Sequence, residues 1–151
     1  MRQPTTDIPG LVIPRAVRGR VAFLPADIDR RYSRESLPDY AMLLANLVRW
    51  AAEDQLPLQI QGPGLLDCNA YTQPSRVIAH IVNLTATGWM PIDELVPVGP
   101  LRIRVKLPAG VRGGTAKLLV AKRVVSLARV DSGWADVRID SVLDHEVVVI
   151  E

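Results

Sequence analysis

Several groups of side chains in this sequence could do chemistry, and each also has a plain structural explanation. Asp27 and Asp29 stand at the carboxyl end of a short apolar run, a position where α/β sheets collect functional groups, and two carboxylates can serve as acid and base. Arg30 and Arg31 follow at once, so a surface ion-pair cluster or a cap on a strand-to-helix connection explains the same residues. His80 falls inside an apolar run and His145 beside Asp144, with no serine or cysteine nucleophile signature near either. A triad needs a positioned nucleophile and an orienting group, so both histidines read as structural. Cys68 is the single cysteine, which excludes an intramolecular disulfide and a thiolate metal cluster and leaves a small buried hydrophobe. Gly110 to Gly114 lacks the Lys and Ser/Thr of a phosphate loop and suits a hairpin tip. Asn83-Leu84-Thr85 matches the glycosylation acceptor pattern. The residues therefore predict no catalytic, cofactor or metal site.

Binding chemistry rests on fewer residues. Trp89, Trp134 and Tyr71 are the aromatic groups beyond the first third of the chain that could offer a flat ring to a sugar, and Trp89 falls in a long irregular segment. Arg102, Arg104 and Lys106 line one side of a strand and form either a solvated face or a weak polyanion surface. With 18 basic residues interleaved with 16 acidic ones, the net charge is +2, and the dense basic face of a dedicated nucleic-acid binder is missing.

The chain that must position these groups has 151 residues, 48% hydrophobic and 23% charged, enough for one domain or a small domain plus part of another. Its pI near 9.0 and mean hydropathy of +0.15 are those of a packed chain rather than a disordered one. Aromatic residues are 5%, so the core must be built from Val, Leu, Ile and Ala, a composition that favours strands. The first ten residues lack a hydrophobic signal region, and no apolar run approaches the roughly 20 residues that a membrane helix needs, so a soluble, cytoplasmic chain without membrane partners is expected.

Residues 11–14 and 21–24 are short apolar runs joined by Arg18-Gly19 and predict a strand pair, Pro14 confining the first to an edge. The polar stretch 27–35 reads as a loop. A helix is predicted over 37–53, with Ser36 as cap and Pro38 in the first turn. Tyr40, Leu43, Leu44, Leu47 and Ala51 form its apolar stripe, widened by Val48 and Trp50, and Tyr40, Leu43, Leu44, Leu47 and Trp50 make a candidate interface. Beyond Leu56 the pattern shifts to period two: 58–61, 65–72, 76–84, 101–107, 116–121, 124–130, 134–139 and 146–150 predict strands at sandwich spacing. The expected fold is thus mainly β with one α-helix: a remnant of an α/β domain at 1–55, then an antiparallel β-sandwich at 56–151.

Gly19-Arg20-Val21-Ala22-Phe23-Leu24-Pro25-Ala26-Asp27-Ile28-Asp29-Arg30-Arg31-Tyr32, with Pro38-Asp39-Tyr40 and Leu43 to Trp50, resembles the end of the amidotransferase-like trimerisation domain of β-galactosidase-type proteins. Gly62-Pro63-Gly64, Val77 to Thr85, Val98-Gly99-Pro100 and the tail Ser141 to Ile150 are similar to the C-terminal β-sandwich of the hypothetical glycosyl hydrolases in that group. The resemblance implies an accessory or assembly part whose catalytic barrel lies elsewhere, with no catalytic residue to carry over. The partners it implies are further copies of the chain or upstream hydrolase domains. The alternative expectation is a free-standing carbohydrate-binding module using Trp89.

Overall fold

The computed structural model describes residues 7–14, 18–86, 94–127 and 129–151. The chain divides into two compact units, Met1–Leu56 and Pro57–Glu151.

In the first unit the expected strand pair contracts to one bridge, where Val12 and Phe23 exchange reciprocal 2.8 Å backbone bonds. The stretch read as a loop is instead helix α1, Ile28–Glu35, so the described residues of the unit hold two helices rather than one. Its side chains explain why so polar a segment winds up: Asp29 lies in the first turn and Arg34 in the last, the placement that complements the helix dipole. Asp27 stands at the N-cap position and pairs with Arg30 at 3.3 Å. Ser36 does not cap the second helix. It takes a left-handed conformation (φ 49°) and ends α1, its N–H bonding to the Tyr32 carbonyl at 2.8 Å.

Helix α2, Pro38–Ala51, follows Leu37 without side-chain capping. Tyr40 hydrogen-bonds to Arg31 of α1 and, with Glu35, strengthens the hold of that guanidinium on its proton. Glu53 and Asp54, both at positive φ, turn the chain away after α2. Arg20 fastens this end: it donates to the Trp50 carbonyl at 3.0 Å, pairs with Glu53 at 3.4 Å, and lies 5.5 Å from the centroid of the Trp50 ring.

The second unit is a β-sandwich. Among the described residues its strands are β1 (Leu58–Gln61), β2 (Leu66–Gln73), β3 (Arg76–Asn83), β4 (Leu101–Lys106), β5 (Thr115–Leu118), β6 (Arg123–Ser126), β7 (Arg129–Asp131), β8 (Trp134–Ile139) and β9 (His145–Ile150). They form two wholly antiparallel sheets, ordered β1-β4-β8-β7 and β2-β3-β9-β5-β6. The run 124–130, expected as one strand, is divided between β6 of one sheet and β7 of the other. Gly110 to Gly114 lies not at a hairpin tip but in the link from β4 to β5, which crosses between sheets.

Alternation decides which side chains face inward. In β4 Leu101, Ile103 and Val105 are buried while Arg102, Arg104 and Lys106 are exposed. Ala135, Val137 and Ile139 of β8 meet them from the same sheet, and Val77, Ala79, Ile81, Val148 and Ile150 from the other, in one continuous core. Tight turns close the hairpins: Pro74-Ser75 joins β2 to β3, and Ser132-Gly133, both at positive φ, joins β7 to β8 in the manner that suits the strand twist.

Asn83 holds one end of the sandwich together. Its Nδ2 donates to the carbonyls of Val96 (2.7 Å) and Leu143 (2.8 Å), and its Oδ1 accepts from the Thr85 N–H at 3.0 Å. Being only 5% exposed, it is no glycan acceptor in the folded chain, whatever its motif. Replacing it leaves these partly buried carbonyls without their donor. We expect Asn83→Ala to lower the unfolding free energy in urea by about 2–3 kcal/mol; a change under about 0.5 kcal/mol would show that water substitutes freely for the amide.

Candidate functional site

The outer face of the β1-β4-β8-β7 sheet gathers polar groups into a cleft. Because β4 buries its odd residues, Arg102, Arg104 and Lys106 must face outward. Because β8 buries Ala135, Val137 and Ile139, Trp134, Asp136 and Arg138 take the other side. The register then aligns two rows: Gln61, Arg102 and Arg138 in one, and Gln59, Arg104 and Asp136 in the next. Gln61, Pro100, Arg102, Asp136 and Arg138 line a cleft of about 400 Å³, and a smaller hollow of about 110 Å³ adjoins it between Gln59, Gln61, Arg102 and Arg104.

The electrostatics are lopsided. Asp136, its side chain 5% exposed, accepts a 2.9 Å bond at Oδ2 from Arg102 Nη2. Its Oδ1 is buried and, among the described residues, has no hydrogen-bond partner, Arg104 Nε forming an ion pair with it at 3.6 Å. The Arg104 guanidinium sits 5.2 Å from the centroid of the Trp134 ring. Arg138 pairs with Asp140 at 3.6 Å, and the side chains of both are largely exposed. Like charges facing each other across a ladder repel, and Arg102 and Arg138 are such a pair. Gly99 helps to place the cleft wall: a Cβ there would come within 2.1 Å of the Asp140 carbonyl oxygen, so only glycine lets the chain pass that close and deliver Pro100.

The other expected residues do not converge here. Tyr71 stands on the five-stranded sheet, exposed, with its ring 5.5 Å from that of His80 in an edge-on contact. Trp134 is on the opposite sheet, so the two rings form no common platform. Trp89 lies outside the described residues. His145 pairs with Asp144 at 3.0 Å on the surface. Asp27 and Asp29 belong to the start of α1. Tyr40, Leu44, Leu47 and Trp50 of α2 are half-buried and Leu43 is exposed. Among the described residues no group of three or more His, Cys, Asp or Glu could hold a metal ion, and no helix is long and apolar enough to cross a membrane. Asp136 was not singled out in the sequence; its outward parity with Arg138 was visible there, but its pairing with β4 was not.

No family model matches the chain, and no curated protein matches it in sequence. In fold it is similar to a solved structure, α-L-fucosidase isoenzyme 2 from Paenibacillus thiaminolyticus, with a TM-score of 0.73 at 16% identity. The superposition covers 98% of this chain and 23% of the fucosidase chain, so the chain spans under a quarter of that neighbour's length. At this identity the likeness is one of fold. The fold thus resembles part of a glycoside hydrolase chain, and the neighbour is a fucosidase rather than a β-galactosidase.

Two outcomes follow from the site and its surroundings. Asp136→Ala removes the carboxylate between Arg102 and Arg104, and should cost about 1–2 kcal/mol of stability, part of it recovered at high salt as the guanidinium repulsion is screened. Urea melts at about 0.05 and 0.5 M NaCl read this out; a salt-independent loss would assign the effect to packing alone. Cys68 lies half-buried on β2, where burial first and Asp67 second raise its thiol pKa. Its alkylation should be slower at neutral pH than that of a free thiol and should keep accelerating above the ordinary thiol range.

Proposed function

We propose that this chain is a non-catalytic C-terminal accessory module of a glycoside-hydrolase-like protein, of the β-galactosidase type that its sequence resembles. One observation carries the reading: almost the entire chain superimposes on less than a quarter of a much larger hydrolase. The helical unit is the part that assembles, its α2 stripe of Tyr40, Leu43, Leu44, Leu47 and Trp50 seating on upstream hydrolase domains or on further copies of the chain. Absence of a buried residue anywhere in α2 supports this, since the stripe's apolar surface has yet to find a full cover. A free-standing sugar-binding module built on aromatic rings is less well supported, with Tyr71 and Trp134 on different sheets.

The native polypeptide provides the test. An antibody raised against this chain, followed by mass spectrometry of what it recovers, should find it joined to, or firmly associated with, a polypeptide bearing a hydrolase barrel. The isolated chain should release no chromophore from aryl β-galactosides or aryl α-fucosides. Recovery of the 16.6 kDa chain by itself, or turnover of those glycosides that disappears in Asp27→Asn, would overturn the reading.

A further inference from the structure

The cleft on the outer face of the four-stranded sheet has a composition that packing does not explain. On β1, β4 and β8 this face presents Gln59, Gln61, Arg102, Arg104, Lys106, Trp134, Asp136 and Arg138, four cations against one carboxylate on those three strands. Arg102 and Arg138 are register partners, and Asp136, paired at Oδ2 with Arg102 and at Oδ1 with Arg104 Nε 3.6 Å away, has no hydrogen bond at Oδ1 among the described residues. A buried carboxylate oxygen without a donor costs free energy, and so does a facing pair of guanidinium groups. Both costs fall if the cleft receives a molecule that brings an anion to the arginines and a hydroxyl to Asp136.

We propose that this cleft binds a carboxylate-bearing sugar, a uronate residue of an acidic oligosaccharide. The carboxylate accepts hydrogen bonds from Arg138 and Arg102, whose planar forks match its geometry. Ring hydroxyls exchange hydrogen bonds with the Gln61 amide, and one donates to Asp136 Oδ1. Pro100 supplies the apolar wall that a sugar ring needs at its side. Arg102 and Arg104 are 63% and 45% exposed, so their side chains can yield to admit the hydroxyl. The central carboxylate disfavours a nucleic-acid backbone, which offers phosphate oxygens and no donor at that point. A volume near 400 Å³ accommodates one or two sugar rings. Neither reading of the preceding subsection is needed for this inference, because it rests on the sheet face alone.

Calorimetric titration of the full chain with digalacturonate, digalacturonate dimethyl ester, inorganic phosphate and a short single-stranded DNA tests it. The free acid should bind, the ester about tenfold more weakly or not at all, and phosphate and DNA no better than the ester. Arg138→Gln alters only an exposed side chain, so it should keep the melting temperature and weaken digalacturonate by about tenfold. Asp136→Asn should weaken acid and ester alike, since both use the hydroxyl. Equal binding of acid and ester, no binding of the acid, tighter binding of phosphate or DNA, or an Arg138→Gln variant with undiminished affinity would each overturn the proposal. Loss of uronate binding would leave the hydrolase association intact, and the reverse, so the two failures are distinguishable.

Discussion

Strand β4 shows its Leu101, Ile103 and Val105 to the core and its Arg102, Arg104 and Lys106 to solvent, and with a period of two neither set can move without the other. A slip of one residue would drive three cations between the sheets at a cost no packing gain could offset. The register with β1 and β8 is therefore strongly held, and that register creates the outer cleft. Gln61 meets Arg102 and Arg104 meets Asp136 because Ile60 and Ile103, and Ile103 and Val137, must meet on the inner side. Core and cleft are two faces of one constraint.

Buried polar groups divide the labour in the sandwich. Asn83 ties the carbonyls of Val96 and Leu143 at one end. Glu146, on β9, accepts backbone N–H groups of Val120, Ala121 and Val147 at 2.9–3.0 Å and so holds the β5–β6 turn. Both are fully used in holding loops. Asp136 differs from them in pointing outward and in keeping one oxygen without a donor. Satisfied polar groups inside and an unsatisfied one at the rim are what separates scaffold from site here.

The sandwich was legible in the residues because each strand carries its own alternation: 58–61 and 134–139 match their observed bounds, and most others fall within a residue or two. Failures came where long-range pairing overrode local pattern. Residues 124–130 read as one strand, yet their halves pair in different sheets. The polar segment 28–35 is too short and polar to show an extended apolar stripe, and its end charges complement the helix dipole instead. Ser36 has the chemistry of an N-cap, but the left-handed turn between two helices used it as a stop. The cleft was half legible. Arg102, Arg104, Lys106 and Trp134 were evident as candidates, whereas Asp136 and Arg138 gained meaning only through the register that sets them beside β4.

The two surfaces left with work to do obey different physics. The α2 stripe is apolar, so an association through it would strengthen with buried area and scarcely respond to salt. The sheet cleft is built of exposed guanidinium groups around one carboxylate, so whatever it binds must weaken as ionic strength rises. They also belong to different compact units, one helical and one all-β. Were the proposed assembly and uronate binding both to hold, added salt would separate them, weakening the second and sparing the first.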